Sequence, residues 1–130
     1  MAVLDTSFLI DLLRGNANAV SFLDDLERKE DNLFITCPST MELWSGAFQA
    51  QLKDKEIKKI EEFLMARTIL SFDERAAKRA GEIDAILTQK GTPIDPEDIM
   101  IAGIALSRGE SVVTGDKDYA KIQGLRVLLY

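Results

Sequence analysis

The apolar positions of this chain fall by turns in short unbroken runs and at a period near 3.6, marking short strands separated by helices. Ala2 to Leu4 reads as a strand running straight into a helix from Thr6 to Arg14, which ends near Gly15. A second helix, about Ala17 to Lys29, carries its stripe at Val20, Leu23 and Leu26. Leu33 to Thr36 is the next strand, and Pro38 turns the chain into a helix bearing Met41, Leu43, Trp44 and Phe48. Ile57, Ile60, Phe63 and Leu64 share one face of a fourth helix, followed by a strand at Thr68 to Phe72. Asp73 is placed to cap a long helix with Ala76, Ala80, Ile83 and Leu87 on one face and Gly91 closing it. Asp95-Pro96 opens a helix to Arg108, because proline suits the first helical position, where no intrahelical N–H is needed. Ser111 to Val113 and Arg126 to Leu129 are the last strands, with a short helix around Tyr119 between them.

Strands that alternate with helices predict an α/β fold with a parallel sheet covered on both faces. In such sheets the carboxyl ends of the strands, and the helix starts that follow them, share one rim where ligands bind. Asp5 lies directly after the first strand and Asp116 in the turn after Val113, while Glu42 and Asp98 fall in first helical turns. Each has a local alternative. Asp5 could simply cap its helix, Ser39 and Glu42 fit a capping box, Asp95 to Asp98 suit a helix start, and Asp116 and Asp118 suit a turn and a cap. Jointly, though, all four acids fall at the same edge. Carboxylates crowded there resist ionisation unless a cation sits among them, and their hard oxygens suit Mg²⁺ or Mn²⁺.

Composition narrows the chemistry. The chain holds 130 residues, 46% hydrophobic and 29% charged, the size and make-up of one globular domain over 1–130. Its longest near-apolar run, Ile99 to Leu106, is too short to span a bilayer, so no membrane segment is expected. The N-terminus shows no basic region or cleavage site, and the single Cys37 precludes an internal disulfide, so a reducing cytoplasm is expected. There is no histidine, which excludes a histidine general base, a Ser-His-Asp triad and His-ligated zinc. A net charge of −6 argues against simple nucleic-acid binding through a basic face. Lys53, Lys55, Lys58 and Lys59 interleave with Glu56, Glu61 and Glu62, as on a solvated helix face.

The stretch Asp5-Thr6-Ser7-Phe8-Leu9-Ile10-Asp11 resembles the opening of PIN domains, where the first aspartate ends the first strand. Thr40-Met41-Glu42-Leu43 resembles their second motif, Asp98 to Ala105 the third, and Thr114-Gly115-Asp116-Lys117-Asp118-Tyr119 the fourth. Taken in order, the four cover nearly the whole chain, at the length of VapC toxins. The resemblance implies one PIN domain, an α/β/α sandwich around a central, mainly parallel five-stranded sheet. It implies a metal-dependent endoribonuclease, using Mg²⁺ or Mn²⁺, that forms a homodimer and is inhibited by a VapB-type antitoxin. By the same resemblance Asp5, Glu42, Asp98 and Asp116 are the catalytic, metal-holding acids, with Asp5 and Asp98 foremost as direct ligands. Thr114 would orient the fourth acid and Ser7 the first, and Asp118 would support them. Gly103 departs from the family's usual alanine and is expected to loosen its helix slightly.

Trp44, Phe48 and the run Phe8 to Leu13 could be core or a dimer or antitoxin surface, since Phe8 to Leu13 wraps more of its helix than one core face requires. A phosphoacceptor receiver domain would need an acidic pair after the first strand, and a haloacid-dehalogenase phosphatase an aspartate where Ser7 stands; neither pattern is present. A PIN nuclease acting on DNA or in RNA processing, or an idle PIN scaffold that only binds protein, are the remaining alternatives.

Overall fold

A computed structural model describes residues 2–29 and 32–130. Five strands, β1 (Ala2–Leu4), β2 (Leu33–Thr36), β3 (Thr68–Leu70), β4 (Ser111–Thr114) and β5 (Val127–Leu129), form one sheet in the order β3-β2-β1-β4-β5. Every pairing is parallel, including Val3 opposite both Phe34 and Val112. β1 is therefore central, and all three of its residues are fully buried.

Alternation along the strands divides the core into two layers. Val3 and Val112 face α5 (Glu74–Gln89) and α6 (Pro96–Ser107). Leu4, Ile35 and Val113 face the opposite layer of α1 (Thr6–Leu13), α2 (Ala17–Lys29), α3 (Cys37–Gln49) and α4 (Lys53–Met65). The α/β/α sandwich is present, with a sheet that is wholly rather than mainly parallel. Fully buried Ile101 and Ile104 fasten α6 to the sheet, each contributing roughly 1.5–3 kcal/mol by leaving water.

Several local expectations shift. The stripe of α2 buries Ala19, Leu23 and Leu26 and leaves Val20 exposed, because the helix is rotated toward α1 and the sheet. β3 stops at Leu70, short of Phe72, where its pairing with β2 ends at Thr36. α5 closes as its glycine predicts: Gly91 adopts φ +72, its N–H donates to the Thr88 carbonyl, and the N–H of Thr92 donates to that of Leu87. Gly103 does not loosen the packing of α6. A Cβ there would lie 2.6 Å from the Ala76 carbonyl oxygen and 2.9 Å from the Ala80 Cβ, so its absence is what lets α5 and α6 touch.

Phe8 and Leu9 are fully buried core, whereas Ile10, Leu12 and Leu13 are only partly covered. Phe48 stays exposed beside half-buried Trp44, their ring centroids 6.2 Å apart.

Candidate active site

Strand order reverses at β1: the chain moves outward through β2 and β3, then returns to β4 on the other side. The crevice lies at the carboxyl ends of these strands, where parallel sheets open a ligand site. A cleft of about 310 Å³ there is lined by Asp5, Thr6, Ser7, Ile10, Glu42, Asp95, Glu97, Asp98, Asp116 and Asp118. Seven of these residues carry carboxyls, and no lysine or arginine is among them. A depression of similar size, about 300 Å³, lies between α5 and the segment Lys121 to Gly124. Its one carboxylate, Glu82, already pairs with Arg79, so it offers no comparable chemistry.

Asp5 is the most constrained of the acids. It follows β1 directly, is 2% exposed, and caps α1 by accepting from the Phe8 N–H at 2.9 Å. Ser7 Oγ donates to both carboxylate oxygens at 2.9 and 3.0 Å, and Thr114 Oγ1 donates to Oδ2 at 2.5 Å. Burial raises its carboxyl above the ordinary range; the bonds from Thr114, Phe8 and Ser7 oppose this, and the charge of Asp116 adds to it. Capping and a site role are thus compatible, since the cap uses Oδ1 of a group already turned toward the cleft.

Thr114 holds the fourth acid differently from expectation. Its hydroxyl hydrogen goes to Asp5, and it holds Asp116 only by accepting from that residue's N–H at 2.9 Å. Asp116 caps the 3₁₀ turn Lys117–Lys121, its Oδ1 accepting from the Asp118 N–H at 2.8 Å. The Asp118 carboxylate pairs with Lys121 at 2.9 Å rather than with the other acids.

Asp98 stands in the first turn of α6, which Asp95 caps through the Glu97 N–H. Buried Tyr119 donates to Asp98 Oδ1 at 3.1 Å. Partial burial pushes Asp98 up to about 6 against that hydrogen bond, and the charges of Asp116, Asp95 and Asp5 push the same way.

Glu42 requires a correction. From the sequence it belongs in a first helical turn, with Ser39 as the cap of a capping box. The helix begins earlier: Thr36 is the cap, its Oγ1 accepting from the Ser39 N–H at 3.4 Å, and Cys37-Pro38 open α3. Glu42 therefore sits in the second turn, exposed at the cleft edge, and Ser39 is buried. Pro38 occupies the second helical position, where its missing N–H is tolerated as it is at the first.

Glu97, Thr6 and Tyr119 were not singled out from the sequence as site residues. Glu97 accepts from Thr6 Oγ1 at 2.8 Å. Burial pushes it up to about 7, followed by a hydrogen bond shared with Glu42 and the charges of Glu42 and Asp95, while the Thr6 bond opposes. Adjacency to Asp98 was the available signal, but a helix N-terminus already explains a glutamate there.

The donor set fits a hard divalent cation: it is all oxygen, uncompensated by any basic group in the lining, and its half-buried members hold their protons abnormally well. Among the described residues no group of three acids stands close enough to enclose an ion unaided. Uncompensated carboxylates repel, and Mg²⁺ sites commonly complete their coordination with water.

The family model of the PIN domain matches residues 2–125. The chain is 32% identical over 125 residues to the tRNA(fMet)-specific endonuclease VapC of Shigella flexneri, covering 95% of this chain and 93% of that one. It is 30% identical over 128 residues to the ribonuclease VapC2 of Haemophilus influenzae, covering 95% and 93%. Its fold superposes on a chain of the DNA-bound VapBC crystal structure from Salmonella typhimurium with a TM-score of 0.90 at 31% identity, covering 98% and 96%. Strand order, rim acids and these likenesses agree, and the chain belongs to the PIN-domain family and, within it, to the VapC endonucleases.

Proposed function

We propose that the chain, acting as one PIN domain over residues 1–130, is a metal-dependent endoribonuclease and the toxin of a type II toxin–antitoxin pair. The observation that carries this reading is the cleft itself, where carboxylates from β1, α3, α6 and the turn after β4 meet with no basic residue in the lining. Asp5 and Asp98 would hold Mg²⁺ or Mn²⁺, with Glu42 and Asp116 completing the set. Such an ion, when bound, supplies positive charge against the phosphate and makes water a competent nucleophile near neutral pH.

The chain's own residues do the positioning. Ser7, Thr114 and the Phe8 N–H fix both oxygens of Asp5, so that carboxylate is aimed before substrate arrives. Tyr119 does the same for one oxygen of Asp98. Glu42, exposed at the open edge, is placed to orient water or take up a proton. RNA is the substrate and a VapB-type antitoxin the partner by likeness to VapC ribonucleases and VapBC complexes. A homodimer and a cytoplasmic setting complete the proposal. Among the described residues no helix is long and apolar enough to cross a membrane.

The test is cleavage of single-stranded RNA in Mg²⁺ or Mn²⁺, with wild type, Asp5→Asn and Asp98→Asn purified side by side. Loss of cleavage in EDTA and in both folded variants is expected. Full activity in excess EDTA, or in both variants, overturns the reading; cleavage of DNA instead of RNA moves it to the alternative substrate.

A further inference from the structure

Behind the acids runs a line of hydroxyls that the proposed hydrolysis does not itself require. Thr36 ends β2 and Ser39 lies in the first turn of α3, both fully buried, and Thr6, 7% exposed, opens α1. Thr36 Oγ1 donates to Ser39 Oγ at 3.3 Å, Ser39 Oγ and Thr6 Oγ1 are 2.8 Å apart, and Thr6 Oγ1 donates to Glu97 Oε1 at 2.8 Å. The direction is fixed by counting hydrogens. Thr6 has one hydroxyl hydrogen and Glu97 receives it, so Ser39 donates to Thr6 and accepts from Thr36. All three hydrogens point along the line toward Glu97, an arrangement in which each bond polarises the next.

Buried serines and threonines in helices can satisfy themselves on a carbonyl three or four residues back. Partly exposed Thr40 does so, donating to the Cys37 carbonyl at 2.9 Å. Thr6 and Ser39 instead pair across 33 residues of sequence, and Thr6 reaches Glu97 across 91. Three members of the line neighbour an acid of the cleft: Thr6 follows Asp5, Ser39 precedes Glu42 by one turn of α3, and Glu97 adjoins Asp98. The line thus joins the starts of α1, α3 and α6, the helices with which Asp5, Glu42 and Asp98 are placed.

We propose that Thr36, Ser39 and Thr6 form a positioning relay that latches Glu97, and with it the start of α6, to α1 and α3, setting the spacing of Asp5, Glu42 and Asp98 before any ion arrives. Glu97 is then a positioning residue of the site. The proposal rests on the metal-dependent reading given above.

The experiment measures Mn²⁺ affinity by titration calorimetry without RNA, alongside kcat and KM for RNA cleavage, in Thr6→Val, Thr6→Ser, Glu97→Ala and Glu97→Gln. Partners that orient metal-holding groups are typically worth about 10–100-fold in metal affinity. Thr6→Val, which keeps the shape but not the hydroxyl, and Glu97→Ala should each lose roughly tenfold or more, with kcat falling and KM for RNA little changed. Thr6→Ser keeps the donor and Glu97→Gln keeps the acceptor, so both should stay near the wild-type affinity. Glu97 is partly exposed, so its two variants decide the matter even if Thr6→Val does not fold. Wild-type affinity in Glu97→Ala overturns the relay, and so does Glu97→Gln binding as weakly as Glu97→Ala, which would make charge rather than latching the cause. A wild type that binds no Mn²⁺ at all removes the metal reading and the relay with it, an outcome distinct from normal binding that the variants leave untouched.

Discussion

The Thr114 hydroxyl donates to Asp5 Oδ2 across 109 residues of chain, and Thr114 Oγ1 itself accepts from the Asp116 N–H at 2.9 Å. One side chain at the end of β4 therefore sets the first acid's orientation and the fourth acid's backbone together. Thr114→Ser should keep both bonds and most activity. Thr114→Val should lose about 10–100-fold in kcat, the usual cost of removing a partner that orients a metal-holding group. Steady-state RNA cleavage by the two variants checks this, and equal activity in both would remove the role assigned to the hydroxyl.

Asp98 at about 6 and Glu97 at about 7 stand above their ordinary values of 3.8 and 4.5. A carboxyl raised in the folded state binds protons that the unfolded chain has released. The stability it contributes is complete below the unfolded pKa and is lost as pH rises through the folded one. Without metal, Tm should therefore fall as pH climbs from about 4 through about 7, modestly because both groups are partly exposed. Mn²⁺ should raise Tm more at the high end, where no proton competes with it. Asp98→Asn should flatten the metal-free slope and be at least as stable as metal-free wild type near neutrality. Calorimetric scans in EDTA and in Mn²⁺ measure all three; metal-free stability that rises with pH over this interval would contradict the crowding of charge.

Gly103→Ala sets two opposed effects against each other. Alanine improves helix propensity by about 1 kcal/mol. Its Cβ would stand 2.6 Å from the Ala76 carbonyl oxygen, and a clash with helix backbone belongs at the upper end of the roughly 1–3 kcal/mol that overpacking costs. A net loss of about 1–2 kcal/mol is expected. Chemical denaturation should show it, and a stabilised variant would mean that α5 can move away from α6 at little cost.

The product ends report the nucleophile. Cleavage through the RNA's own 2′-hydroxyl generally uses a histidine base, and this chain has none. Attack by water in the acidic cleft should leave a 5′-phosphate and a 3′-hydroxyl, and a single 2′-deoxy substitution at the cleaved linkage should slow the reaction only modestly. Mass spectrometry of the fragments decides; cyclic phosphate ends, or a deoxy linkage that resists cleavage, would refute the assigned chemistry.

Features ruled by neighbours in the chain were legible from the sequence. Asp73 and Asp95 cap helices, Gly91 ends one, and Asp5 and Asp116 follow strands, because each depends on a few adjacent residues and on the period of the apolar positions. The rim acids could be placed for the same reason: in a parallel sheet the strand ends share one edge. What depended on distant partners was decided only by the tertiary structure. The start of α3 moved to Thr36, where Ser39 is drawn into the interior against Thr6, so the local capping signal lost to a buried contact. In the sequence Glu97 is one acid among several at a helix N-terminus and Tyr119 only the centre of a short helix; the fold sets Thr6 against the first and Asp98 against the hydroxyl of the second. Gly103 looked like a weak point in a helix until a second helix lay against it. Sequence periodicity says which way a side chain faces, but which other side chain it meets there depends on how the layers pack, and that is a property of the whole fold.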